Sequence, residues 1–182
     1  MTTAQPGSDL SPADGSALEA KIATLVANDQ RQRQDNTPVV LEEHEINAYL
    51  QFQAAPLLPV GVTQPHVQLD DGGQITIQSD VDLGVVSAAT PRGPFDPMRY
   101  LRGVVPVVAM GTFDAQNGLG QLNVESVSVG GIPVPLSVLR ELVASYSRTE
   151  TLPDGFDVNR PFPLPYGLTS VTIDRGHAIV IQ

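Results

Sequence analysis

A chain of 182 residues, 41% of them hydrophobic, is long enough for one domain with a substantial core. Its formal charge of −10, with Lys21 as the single lysine, would be repelled by phosphate backbones. Nucleic-acid binding and tight electrostatic adsorption to an anionic membrane are therefore excluded, while a peripheral membrane contact stays open. The absence of cysteine removes disulfides, thiol catalysis and thiolate metal sites.

The apolar content is aliphatic, with no Trp and only 5% aromatics, and Gly and Pro each number 16. That composition suits a β-rich fold with many turns. Residues 1–15 are small, polar and without apolar periodicity, as expected of a disordered tail ahead of a single domain over 16–182. They show neither the basic region nor the apolar region of a signal peptide, and no run of about 20 apolar residues predicts a membrane-spanning helix. Ser16 and Glu19 could form a capping box for a first helix carrying Leu18, Ile22, Leu25 and Val26. A short extended piece at Val39, Val40 and Leu41 precedes a second helix. Its acidic residues Glu42, Glu43 and Glu45 sit in the first turn, and Ile46, Tyr49 and Leu50 form its apolar stripe. Pro56 and Pro59 end it.

Residues 66–69, the turn Asp70-Asp71-Gly72-Gly73 and residues 74–86 predict a hairpin. In its second strand Ile75, Ile77, Val81, Leu83 and Val85 alternate with polar residues or Gly84, so one face should be buried. Residues 90–100 read as a long loop. Residues 104–113 predict a central strand, followed by a turn at 114–118 and a return strand. In that return strand the apolar positions change phase, from Leu122 and Val124 to Val127 and Val129. A one-residue slip predicts a β-bulge near Glu125-Ser126 and a sharply coiled sheet. Pro135 opens a third helix with Leu136, Leu139, Leu142, Val143 and Tyr146 on one face. A second Pro-rich excursion over 149–165 precedes a closing hairpin over 168–181.

Helices segregated from a meander of antiparallel hairpins predict an α+β fold, with N-terminal helices and a strongly curved sheet wrapped around the third helix. Chemistry is harder to find. His44, His66 and His177 lie far apart and match no metal-ligand spacing. No nucleophile elbow or phosphate-binding glycine pattern occurs. The pairs Asp70-Asp71 and Asp80/Asp82 lie in a turn and on a polar strand face, without the apolar setting that would tune a general acid. No catalytic residue, metal or cofactor is expected, and a hydrolase built on His44 or His177 is the least supported reading.

The run 41–50, LEEHEINAYL, resembles the acidic helix start of bacterial single-module relatives of the tubular lipid-binding (TULIP) superfamily. GGIPVP at 130–135 and PLPYGL at 163–168 are similar to the layout of that group. The resemblance implies a helix held in a curved sheet, a lipid bound between them, no cofactor, and a periplasmic or other cell-envelope location; with no signal or anchor in the chain, the cytoplasm stays open. It also implies a structural role for Asn47, whose side chain can satisfy neighbouring backbone groups. The expected function is non-enzymatic binding or transport of a lipid or other hydrophobic molecule. The expected groove is lined by Ile46, Tyr49, Leu50, Ile75, Ile77, Val81, Leu83, Leu139, Val143 and Tyr146. The alternative is a structural or protein-interaction domain of the envelope with a filled core.

Overall fold

The computed structural model describes residues 10–31, 36–85, 103–139 and 160–182. Helix α1 (Pro12–Gln30) begins earlier than the expected cap, so the end of the predicted tail is helical. Ser11-Pro12-Ala13-Asp14 is itself a capping sequence. The Asp14 amide donates to Ser11 Oγ at 3.3 Å, the Ser11 amide donates back to Asp14 Oδ2 at 3.1 Å, and Pro12 stands at the first helical position. The Ser11 hydroxyl and amide hold the Asp14 carboxyl below its ordinary pKa.

Strand β1 (Val39–Glu42) leads directly into α2 (Glu43–Phe52), where the Glu42 amide donates to Glu45 Oε2 at 3.0 Å. A 3-10 turn, Ala55–Leu57, follows. Strands β2 (Val62–Asp70) and β3 (Gln74–Asp82) form the predicted hairpin, with Gly72 and Gly73 both at positive φ in its turn. Strand β3 is shorter than expected, because the Asp82 carboxylate accepts the amides of Gly84 and Val85 at 2.9 and 3.1 Å. Residues 83–85 turn into helix, which takes Leu83 off the strand.

Strands β4 (Val104–Gln116) and β5 (Leu119–Val129) make the long hairpin, and its bulge lies where the phase change predicts. Gly111 pairs with Val124 but Met110 pairs with Ser126, so Glu125 is skipped. Phe113↔Leu122 and Gly111↔Val124 on one side, and Ala109↔Val127 and Val107↔Val129 on the other, thereby share one face. Gly111 is required there, since a Cβ would collide with the Asn123 carbonyl. The short β6 (Ile132–Pro133) and β7 (Phe162–Pro163) pair with the two ends of β5. The chain then closes with β8 (Ser170–Asp174) and β9 (His177–Ile181).

These strands form one sheet in the order β1-β9-β8-β4-β3-β2, with β5 off β4, and its pairings are antiparallel. The α+β class is as expected, but the sheet is not strongly curled. A single skipped residue corrects the phase of β5, and the register runs regularly on both sides of it. The third helix is described only at 136–139, so Leu142, Val143 and Tyr146 lie outside the described residues, as do the loop at 90–100 and most of the excursion over 149–165.

The core is centred on Leu69, Ile173 and Ala178, with Leu41, Ile46, Val67, Ile75, Phe113 and Val171 packed against it. Helix α2 thus covers the sheet through Ile46. Helix α1 lies on α2, with Leu18 and Leu25 buried and Gly15 giving way to the Gln53 side chain. Polar contacts fix this outer layer. Lys21 Nζ reaches Glu45 Oε2 at 2.6 Å and the Val40 carbonyl at 2.7 Å, and Gln182 Nε2 donates to the Leu25 carbonyl at 2.8 Å.

Candidate functional site

Strand β2 ends the sheet, so its outer edge has no strand partner in the order above and its backbone groups must find other partners. Over its C-terminal half they find α2. The Val67 amide donates to Asn47 Oδ1 and the Val67 carbonyl accepts from Asn47 Nδ2, both at 2.7 Å. One side-chain amide thereby substitutes for a pairing strand, and Asn47 is 2% exposed. Two residues on, the Leu69 amide donates to Glu43 Oε2 at 2.7 Å, and the Leu69 carbonyl accepts from the Gly176 amide at 3.0 Å. The Glu43 amide donates to the Gly176 carbonyl at 2.8 Å, which joins the β8–β9 turn to the same seam. Arg175 adds an ion pair to Asp71 at 2.9 Å.

The N-terminal half of β2 is built differently. Helix α2 stops where the amides of Gln53 and Ala54 both turn back to the Tyr49 carbonyl, at 2.9 and 2.8 Å. Pro56 in the 3-10 turn and an extended Leu58 carry the chain on from the helix, and Gly61, with φ of 89°, turns it into β2. The register of β2 against β3 then shifts between Thr63 and His66. Gln64 lies there with φ of 50°, followed by Pro65, which has no amide hydrogen.

The result is an open groove of about 710 Å³ between the end of α2 and this distorted edge. Leu50 and Gln51 line it from α2, Ala55 and Leu58 from the segment beyond, residues 62–66 from β2, and Leu10 from before α1. Among the described residues the lining combines aliphatic side chains with amide, hydroxyl and imidazole groups and includes no Asp, Glu, Lys or Arg.

Of the residues expected to line a groove, Leu50 lines this one. Ile46 and Ile75 pack into the core, so the contact between α2 and the sheet is filled there. Tyr49 and Val81 are half-buried, Ile77 is exposed on the sheet, and Leu83 and Leu139 stand in helical turns outside the groove lining. Leu58, Val62 and Pro65 were legible only as an apolar, proline-punctuated stretch that follows neither helical nor strand period.

The titratable residues singled out in the sequence make no reactive cluster. His44 is exposed, His66 borders the groove and His177 Nδ1 lies 3.3 Å from the Arg175 carbonyl. Asp71 and Asp82 are used in tying turns together. Among the described residues no group of three or more His, Cys, Asp and Glu could hold a metal ion, and no helix is long and apolar enough to cross a membrane. Glu45 is the one strongly buried carboxylate among the described residues. Burial acts to raise its pKa, but the Lys21 ammonium and the Glu42 amide outweigh that and hold it below the ordinary value of 4.5.

No protein-family model, curated protein or solved structure matches this chain.

Proposed function

We propose that the protein binds a lipid or another hydrophobic small molecule without chemical turnover, in the groove between the end of α2 and the N-terminal half of β2. The observation that carries this reading is the groove itself. Its volume of about 710 Å³ lies within the roughly 300–1,000 Å³ of small-molecule sites. Its described walls combine aliphatic side chains (Leu10, Leu50, Leu58 and Val62) with uncharged polar groups (Gln51, Thr63, Gln64 and His66), which suits an apolar chain with a polar end. Each methylene buried there contributes about 0.8 kcal/mol. The resemblance of 41–50 to the helix start of TULIP-superfamily relatives supports the same ligand class and an envelope location, with the ligand beside α2 rather than inside a coiled sheet.

Native mass spectrometry of the purified protein, and uptake of a fluorescent acyl probe, test the reading. Leu50→Gln and Leu58→Gln are each expected to weaken uptake about tenfold while the circular dichroism spectrum stays that of the wild type. A protein that is always empty and takes up no probe overturns it.

One observation favours a second reading, a structural or protein-interaction domain. Ile46 and Ile75 fill the space between α2 and the sheet together with Leu69, Ile173 and Ala178. Under this reading the groove substitutions change neither probe uptake nor folding, and binding to a partner protein is the only activity.

A further inference from the structure

The groove is rich in hydrogen-bond acceptors that the fold leaves unused. In a regular helix the Ala54 amide would donate to the Leu50 carbonyl and the Ala55 amide to the Gln51 carbonyl. Here the Ala54 amide turns instead to the Tyr49 carbonyl at 2.8 Å, which already accepts from Gln53. Among the described residues nothing donates to the carbonyl of Leu50 or Gln51, the two residues of α2 that line the groove.

The facing strand edge repeats the imbalance. The register shift sets Gln64 and Pro65 between the paired Thr63 and His66, opposite Ser79 alone. These two residues bring two carbonyls but one amide hydrogen, because Pro65 has none. The Thr63 hydroxyl gives its hydrogen to the Asp80 carbonyl at 3.3 Å, so what it retains for a ligand is an acceptor. The side-chain amides of Gln51 and Gln64 and the His66 ring can serve either role.

Electrostatics point the same way. The C-terminal end of α2 carries the partial negative charge of the helix. Asp80 pairs with Thr63, and the Asp82 amide donates to the Gly61 carbonyl at 2.8 Å, which puts two carboxylates on the strand beside this part of β2. The described lining sets no Lys or Arg against them. A head that donates hydrogen bonds finds partners on both walls, whereas an anionic head meets acceptors and like charge and loses its water for nothing.

We propose that the groove selects amphiphiles whose head donates hydrogen bonds and carries no negative charge, a hydroxyl or an ammonium, over those that end in a carboxylate or phosphate. The head lies between the last turn of α2 and the bulge at 64–65, with the alkyl chain against Leu58 and Val62. This selectivity rests on the ligand-binding reading and names the ligand's polar end.

Calorimetric titration of the full chain with decanol, decylamine and decanoate, one alkyl chain with three heads, tests it at mildly alkaline pH and at two salt concentrations. Decanol and decylammonium are each expected to bind about tenfold more tightly than decanoate. Gln51→Arg puts a cation at the rim, at an exposed position where an arginine suits a helix C-terminus, so the melting temperature should hold. It is expected to tighten decanoate binding about tenfold and to leave decanol unchanged. Decanoate binding as tightly as decanol to the wild type, or a preference that Gln51→Arg does not alter, overturns the selectivity and leaves the ligand site standing. So does decylammonium binding that high salt abolishes while decanol fails to bind, which would reduce the effect to attraction by net charge. A protein that binds none of the three loses the ligand site as well.

Discussion

The two halves of β2 meet α2 on opposite terms. At Val67 and Leu69 the strand edge is closed by side chains of the first two turns of α2, so that Asn47 and Glu43 do what a neighbouring strand would do. At 62–66 the same edge is bulged, carries a left-handed residue, and faces the C-terminal end of the helix across a groove. One helix lying against one strand thus seals the fold at one end and leaves an open groove at the other. The difference lies in which residues the helix presents. Its N-terminal turns place Glu43 and Asn47 against the strand backbone, whereas its C-terminal end carries Leu50 and Phe52, which have no polar group to pair with an edge, and Gln51, which lines the groove instead.

Breaking the sealed half should be costly. The largest effect is expected from Leu69→Ala, because Leu69 is 3% exposed at the centre of the core; a loss of about 2–5 kcal/mol should appear in urea unfolding. Asn47→Ala should follow at roughly 2–3 kcal/mol, since it orphans both the amide and the carbonyl of Val67. Asn47→Asp should recover little. A carboxylate can still accept from the Val67 amide, but it then faces the Val67 carbonyl without a proton to give. If Asn47→Asp matched the wild type, the strand-like pairing of this side chain would be wrong.

The outer layer offers a smaller and pH-dependent break. Lys21→Met should cost about 1–2 kcal/mol at neutral pH, toward the low end because the lysine side chain is 31% exposed. The folded-state pKa of Glu45 lies below its unfolded one, so its stabilisation is complete above the ordinary value of 4.5 and is lost as the pH falls through the folded value. The stability gap between wild type and Lys21→Met should therefore be constant near neutrality and narrow in acid. Parallel unfolding curves at several pH values check this, and a gap that widens in acid would assign the effect to another group.

How much of this was legible follows the same division. Regular elements announce themselves by period, which is why the β2–β3 turn, the bulge beside Glu125 and the closing hairpin lie where the pattern puts them. Asn47 was legible as a residue that satisfies backbone groups, but its partner, Val67, lies 20 positions away and no local rule names it. The phase change predicts a strong curl that the sheet lacks, because a bulge that restores phase and a bulge that bends a sheet leave the same mark in sequence. The groove was hidden for a related reason. It is made where α2 has ended and β2 is not yet regular, and Leu58, Val62 and Pro65 belong to no periodic face. Asp82 shows the converse, since its polar position in an alternating row also suits a carboxylate that stops the strand by capping the next turn.

The smallest expected effect probes the open half directly. Gln64 holds a φ of 50° without any buried side-chain packing to enforce it, as it is exposed at the groove rim. Gln64→Gly should relieve the left-handed backbone while adding freedom to the unfolded chain, and the two should leave stability within about 0.5 kcal/mol of the wild type. Gln64→Val, with a β-branched side chain in the same conformation, should cost about 1–2 kcal/mol or drive the strand back into regular register. A regular register would align 62–66 as a flat edge and narrow the groove. Acyl-probe uptake by Gln64→Val should then fall while Gln64→Gly keeps it, which ties the binding surface to the irregularity of β2 rather than to the side chain at that position.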